Sequence, residues 1–342
     1  MGASRRAAAG PLPETCQTML VDPFTAPIRR ELRLFEERLD AALRADVRLA
    51  DEIARYMATL RGKRLRPALA LLGAQAVGLD DGRIIDAAVA VEMIHAATMV
   101  HDDVVDSATM RRGKASVSSA WSGQLAVLMG DFLLSRALCI LVGLGDLEAL
   151  AVVAEATQRL SMGEIFEIQI GAECDTTEES YIRMVGDKTA SLISAAARLG
   201  PILARADGAI VEAMGLYGES LGRAFQIADD VLDYTGDARA LGKPVGIDLR
   251  EGRITLPLIR ALEGAPPAVR ADIHQLLRRA DKAELEWARI VAFVEDYRGV
   301  PAARRTALMH ADRARQCLRA LSDSPARAAL EMAVHLVVDR DN

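Results

Sequence analysis

Residues 82–106, GRIIDAAVAVEMIHAATMVHDDVVD, read as one unbroken apolar helix that runs into carboxylates. Ile84, Ile85, Ala88, Val91 and Ile94 recur at helical steps with no breaker among them. At 100° per residue, His95, Asp102 and Asp106 share one stripe of that helix. A second helix of the same kind is expected from about Gly215 to Asp233, with Gln226, Asp229, Asp230 and Asp233 on one face. The two acidic clusters, DDVVD at 102–106 and DDVLD at 229–233, have identical form. One such cluster alone reads as a solvated helix face. Six carboxylates on two core-like helices imply a shared cation, because buried carboxylates are normally paired or metal-bound. Hard oxygen ligands at i and i+4 suit magnesium, which accepts one or two carboxylates and takes phosphate oxygens for much of the rest. The implied cargo is a diphosphate.

The remainder of the chain fits an all-α protein. Of its 342 residues 51% are apolar and only 4% aromatic, and Ala, Leu, Val and Ile recur at steps of three and four with Gly and Pro mostly between the runs. No linker composition divides it after residue 25, so residues 26–342 are expected to form a single domain behind a disordered lead at 1–25. That lead lacks the continuous apolar segment of a signal peptide. The net charge of −6, with scattered basic residues, argues against a nucleic-acid surface. Cys16, Cys139, Cys174 and Cys317 lie far apart, which argues against structural zinc and a disulfide framework and fits the cytoplasm. The longest apolar run, Leu125 to Leu144, contains Asp131 and Arg136 and is expected to be a core helix rather than a transmembrane segment.

A diphosphate also needs fixed cations. Four segments supply them: GKRLRP at 62–67, RRG at 111–113, Lys188 with Thr189, and GKP at 242–244. Each alone reads as a helix end or a solvated turn; together with both acidic clusters they form a pattern.

That pattern resembles the trans-type polyprenyl (isoprenyl) diphosphate synthase family. The resemblance rests on GKRLRP at 62–67, HDDVVDSATMRRG at 101–113, GDFLL at 130–134, DKTASL at 187–192, FQIADDVLDYTGD at 225–237 and LGKPVGIDLREGRITLPL at 241–258. It implies a helical bundle of the isoprenoid synthase type around a deep central cavity, normally a homodimer. The implied reaction is head-to-tail condensation, in which an allylic diphosphate ionises, isopentenyl diphosphate attacks and a proton is lost. Several magnesium ions would bind with the allylic diphosphate, with Asp102, Asp106 and Asp229 as principal ligands and Asp103, Asp230 and Asp233 in support. Arg111, Lys188 and Lys243 would grip the allylic diphosphate, and Thr189 and Gln226 would line the cationic intermediate. Lys63, Arg66, His95 and Arg112 match the family's positions for isopentenyl diphosphate. Two departures are visible: Arg253 where the family more often has Lys, and Ala115 where Pro is common.

For product length, the residues one turn before Asp102 are expected to border the growing chain. Ala97 and Thr98 are small where short-chain bacterial members resemble one another in carrying bulky aromatics. The floor then lies deeper, at Met93, Ile94 or Val91, or at Phe132 and Leu133. Products of twenty carbons or more follow, a long quinone-type side chain ahead of geranylgeranyl diphosphate. A class I terpene cyclase shares the first acidic cluster but needs no second diphosphate pocket, and a non-catalytic partner subunit would be expected to lack carboxylates from one cluster.

Overall fold

The computed structural model describes residues 23–60, 62–173, 176–235, 247–279 and 282–338. Lys243 and the rest of LGKPVG at 241–246 lie outside the described residues, as do Cys16, Cys174 and residues 1–22 of the expected lead. The expected all-α class holds. Among the described residues the only strands are Met110–Arg111 and Lys114–Ala115, paired antiparallel as a hairpin. Two compact units are present: one takes the described residues up to Leu71 with Ile85–Leu144, the other Leu72–Ile84 and the described residues from Gly145 onward.

The first unit begins with the 3-10 turn Pro23–Ile28, whose Phe24 and Ile28 are buried. It continues through α1 (Arg29–Leu43), α2 (Arg48–Ala58), the start of α3 (Leu65–Ala76), α4 (Arg83–Val105) and α5 (Gly123–Gly143). Helix α1 buries Leu32, Phe35, Leu39 and Leu43, a stripe at steps of three and four. Helix α4 is apolar on all sides and is buried accordingly, with Val91, Met93, Ile94 and Ala97 each at 2% exposure or less. It stops at Val105, one residue short of Asp106, because Ser107 turns the backbone into the left-handed region at φ 51°. Helix α5 buries Ala126, Met129, Leu133, Ala137 and Leu141 but exposes Val127, Leu128, Leu138 and Val142 on other faces. By length and composition alone both α4 and α5 could cross a membrane, yet α4 is 67% buried over its most apolar window and α5 33%. The expected core helix at 125–144 is thus a core helix on one face only.

The second unit contains α6 (Leu147–Glu173), α7 (Glu178–Val185), a π-helical turn (Gly186–Ala190), α8 (Ser191–Leu203), α9 (Gly208–Thr235), α10 (Leu256–Gly264), α11 (Pro267–Leu277), α12 (Glu284–Asp296), α13 (Gly299–Cys317) and α14 (Pro325–Val338). Helix α9 runs through its core, burying Met214, Tyr217, Leu221, Ala224, Ile227 and Val231. Each fully buried Leu or Ile contributes about 1.5–3 kcal/mol. Helix α13 packs against α9 through Ala303, Ala307, Ala311 and Ala314, small side chains that allow a close approach, and turns Arg304 and Arg305 outward.

The π-helical turn is held where two neighbouring helices come unusually near. A Cβ on Gly163 of α6 would lie 2.6 Å from the Lys188 backbone nitrogen, and one on Gly222 of α9 would lie 2.5 Å from Ala190 Cα. Only glycine fits at either position. The turn therefore presents Lys188 and Thr189 from a backbone clasped on two sides.

Candidate active site

The first acidic cluster closes α4. Asp102 is partly buried in the last turn, Asp106 is exposed just beyond it, and the Asp106 amide donates to the Asp102 carbonyl at 2.8 Å. Asp103 differs from both. It is 3% exposed and accepts from Arg111 Nε at 2.9 Å and Nη2 at 2.5 Å. Arg111 reaches it from the hairpin, whose two-residue loop is Arg112 and Gly113, at φ 50° and 76°. Two successive positive φ values match the twist of antiparallel strands, and the glycine adopts its share without strain. Tyr56 fixes the far strand by donating to the Ala115 carbonyl at 2.6 Å. The place where proline is common in the family is thus occupied by a residue whose carbonyl is in use.

The hairpin loop brings Arg112 to the GKRLRP segment. Arg112 Nη1 donates to the Leu60 carbonyl at 2.5 Å, and its guanidinium covers Gly62, where a Cβ would lie 2.5 Å from Nη2. Beneath lies a cavity of about 90 Å3, lined on its apolar side by Leu39, Leu60, Met99 and Val100 and on its polar side by Glu92, His95 and Arg112. Burial and then the Arg66 charge push the His95 pKa down to about 3, so the imidazole is neutral at working pH. Burial likewise lowers the Arg66 pKa, and Arg66 Nε is a buried donor without a hydrogen-bond partner. Lys63 is exposed beside them. The structure therefore brings Arg66, His95 and Arg112 together in the first unit. The expected single stripe of His95, Asp102 and Asp106 is not what lines this cavity: Asp103 lines it with His95, and Asp102 and Asp106 do not.

The second cluster closes α9. Asp229 is exposed, Asp233 partly buried and Asp230 only 4% exposed. The four polar residues expected to point one way are therefore divided, with Asp230 turned inward. Tyr181 Oη donates to Asp230 Oδ2 at 2.5 Å and Gln226 Nε2 donates to Oδ1 at 2.9 Å. Burial, with Asp248 and Asp229 nearby, pushes the Asp230 pKa up to about 8. Gln226 also accepts from Thr189 Oγ1 at 3.0 Å, so Thr189, Gln226, Asp230 and Tyr181 form one chain of hydrogen bonds. Next to it, the Asp248 amide donates to Asp233 Oδ2 at 3.2 Å, and Arg253 Nη2 pairs with Asp248 Oδ1 at 2.7 Å. The Arg-for-Lys departure thus holds a seventh carboxylate against the cluster. Sequence reasoning missed Asp248, although it lies inside the quoted 241–258 segment.

On the π-helical turn, Lys188 pairs with Glu164 at 2.8 Å and with Glu167, both from α6. Against the pull of burial these glutamates hold its pKa above the ordinary value. Arg159 secures the turn by donating to Asp187 at 2.8 Å, to the Gly186 carbonyl at 3.1 Å and to Glu219 at 3.0 Å. Glu164 and Glu167 had a signal in sequence, an i, i+3 acidic pair on an apolar helix; Arg159 had none. Of the expected chain-length residues, Met93, Ile94 and Ala97 are buried and Thr98 donates to the His95 carbonyl at 2.9 Å. Phe132 is only partly buried under the Arg136 guanidinium, whereas its neighbour Leu133 is fully buried.

Comparison with known proteins gives one answer. The family model described as polyprenyl synthetase matches residues 47–294. Octaprenyl diphosphate synthase of Escherichia coli is 38% identical over 299 residues, 87% of this chain and 92% of that protein. The short chain isoprenyl diphosphate synthase of Methanothermobacter thermautotrophicus is 36% identical, over 91% of this chain and 98% of that protein. The crystal structure of a polyprenyl synthase from Caulobacter crescentus, complexed with calcium and isoprenyl diphosphate, superposes with a TM-score of 0.88 at 33% identity, covering 94% of this chain and 98% of that one.

Proposed function

The chain belongs to the polyprenyl synthetase family and is a prenyltransferase, and from that premise we propose that it condenses isopentenyl diphosphate with an allylic diphosphate, repeatedly, to products of twenty carbons or more. One observation carries the reading. In each acidic cluster the middle aspartate is turned inward onto its own protein partners, while the first lies at the surface of its helix end.

Magnesium fits this donor set. Among the described residues no group of three or more His, Cys, Asp or Glu is arranged to hold an ion without help, and magnesium is the ion that accepts few carboxylates and completes its shell with phosphate oxygens and water. Asp102, Asp106 and Asp229 are the ligands we assign, with Asp233 beside them. The bound ions supply Lewis-acid stabilisation of charge on the departing diphosphate. Lys188 and Arg111 contribute fixed positive charge to the same leaving group, as does Lys243 by its family position. Thr189 and Gln226 turn oxygen dipoles toward the allylic cation. Isopentenyl diphosphate is bound without metal by Lys63, Arg66 and Arg112, whose guanidinium forks match phosphate geometry, and by neutral His95. No side-chain base is required, since the departed diphosphate accepts the proton.

For product length, Ala97 and Thr98 are small, with the Thr98 hydroxyl donating to the His95 carbonyl, and on this reading the growing chain passes this turn of α4. Met93, Ile94 and Leu133 are better placed for a floor than Phe132, since they are buried. A long-chain product of the octaprenyl class is favoured over geranylgeranyl diphosphate. The exposed Val127, Leu128, Leu138 and Val142 of α5 support a homodimer, because apolar side chains grouped along one helix mark an interaction surface. Cys139 and Cys317 are free thiols, consistent with the cytoplasm. The test is incubation with magnesium, isopentenyl diphosphate and, separately, geranyl, farnesyl and geranylgeranyl diphosphates, followed by mass analysis of the dephosphorylated products. The expected result is a ladder ending at thirty carbons or more; a stop at fifteen overturns the length assignment, and no elongation from any primer overturns the activity.

A further inference from the structure

Arg64 is the least ordinary residue of the GKRLRP segment. It is 7% exposed, sits in the left-handed region at φ 54°, and lies between Lys63 and Arg66, the two cations of the segment that face isopentenyl diphosphate in the reading above. Its guanidinium is engaged by two carboxylates. Nε donates to Glu36 Oε1 at 2.8 Å and Nη2 to Glu36 Oε2 at 3.3 Å, while Nη1 donates to Glu92 Oε1 at 2.5 Å. Glu36 and Glu92 are themselves 6% and 7% exposed, and the Phe35 ring lies under the guanidinium at 5.7 Å.

A buried ion triad is poor evidence of stability, since desolvation offsets most of the Coulomb gain. A backbone held in a sparsely populated region also persists only where its surroundings over-determine it. Both features point to a role in placement. Glu92 shows which groups are placed. Although burial opposes its charge, Arg64, His95 and Arg66 hold its carboxyl below the ordinary range, and Arg112 feels the same carboxylate. Glu92 thus sits among three of the four groups assigned to the second substrate, Arg66, His95 and Arg112, one helical turn before His95 on α4. Arg64 also joins the segment to α3, because its carbonyl accepts from the Ala68 amide at 3.0 Å.

We propose that Glu36, Arg64 and Glu92 form a positioning triad for isopentenyl diphosphate, which fixes the left-handed turn at Arg64 and the Glu92 carboxylate so that Lys63, Arg66, His95 and Arg112 converge. The proposal rests on the assignment of those four residues to isopentenyl diphosphate. Arg64 and Glu92 border the same cavity as His95 and Arg112, but their polar atoms are committed to one another and to Glu36. Arg64 commits its fork to Glu36 and Glu92, and Glu92 is a fixed internal counter-charge that keeps like-charged donors together before the substrate arrives.

The experiment measures KM for isopentenyl diphosphate, KM for farnesyl diphosphate and kcat separately, alongside thermal melting. Three proteins carry it: Glu36→Gln, the all-neutral Glu36→Gln/Arg64→Met/Glu92→Gln, and Arg66→Gln as the direct probe of the pocket. The all-neutral triple variant retains volume and removes all three charges of the triad together, so it is expected to fold. Its KM for isopentenyl diphosphate should rise about tenfold or more, as expected for displaced binding groups, with KM for farnesyl diphosphate and kcat at saturation within about twofold. Glu36→Gln, which keeps one acceptor oxygen for Arg64 but loses the charge and the second acceptor, should show the same split at about threefold, and it carries the test should the triple variant fail to fold. If Arg66→Gln raises KM for isopentenyl diphosphate while the triad variants do not, or raise both KM values together, the triad is structural only and the proposal fails. If Arg66→Gln leaves that KM unchanged, the pocket assignment itself fails and takes the proposal with it.

Discussion

The two acidic clusters share one spelling and have two different interiors. In DDVVD the inward carboxylate, Asp103, is held by a guanidinium from the adjacent hairpin. In DDVLD the inward carboxylate, Asp230, is held by a phenol and an amide, and burial raises its pKa to about 8. A shared motif therefore does not give its central carboxylate the same partners. Asp103 is paired with a guanidinium, while burial favours the protonated form of Asp230 in the metal-free protein.

The comparison is broken most severely by removing the outer ligands. Asp102→Asn and Asp229→Asn are each expected to lower kcat by about 10²–10³-fold, the scale on which loss of one charge-stabilising group acts on a transition state. Chelation of magnesium should abolish turnover and its re-addition restore it. Steady-state kinetics at saturating magnesium and both substrates decide the matter. A loss smaller than tenfold at either position would remove that aspartate from the ligand set.

The inner pair separates on stability rather than rate. Asp103→Asn removes a charge-assisted pair whose arginine is 30% exposed, so the expected cost is about 1–2 kcal/mol. Asp230→Asn has the opposite pH signature. The folded carboxyl, with a pKa near 8 against an ordinary 3.8, holds its proton where the unfolded chain has released it. The native state then binds more protons than the unfolded one, and wild-type stability falls as pH rises from about 4 to about 8. Asparagine cannot ionise, so the metal-free Asp230→Asn protein should gain on wild type across that window and match or exceed it at pH 8.5. Parallel melts from pH 5 to 8.5 test this; a wild type that gains on the variant as pH rises would show that Asp230 is ionised in the fold.

Much of this was legible in residue order. The apolar repeat of 82–106 gave helix α4 to within one residue at each end. The four cationic segments were visible as motifs, and in the first unit Arg66, His95 and Arg112 do meet. What escaped is what depends on distant partners. Tyr181 reaches Asp230 across 49 residues of sequence and Arg64 reaches Glu36 and Glu92 across 28 each, separations at which no local pattern survives. Glu92 did leave a trace, a lone carboxylate inside VAVEMIH, but without Arg64 opposite it reads as an interruption of the apolar face. The π-helical turn has no local signature in GDKTA either, because its cause lies in Gly163 and Gly222 on other helices.

The smallest expected effect tests the neutral member of the substrate pocket. Burial favours the uncharged imidazole, so His95 in the folded protein stays neutral down to about pH 3, where the unfolded chain would already be protonated below about 6.5. Its contribution to binding is then a single neutral hydrogen bond, worth about 0.5–1.5 kcal/mol, and His95→Gln should raise KM for isopentenyl diphosphate only a few-fold. The diphosphate itself titrates in this range, so the informative quantity is the ratio of KM values for variant and wild type. That ratio should stay flat from pH 5.5 to 8.5. A cationic imidazole would bind the anion more tightly as pH falls and make the ratio climb below pH 6.5; such a climb would mean that substrate binding draws a proton onto His95.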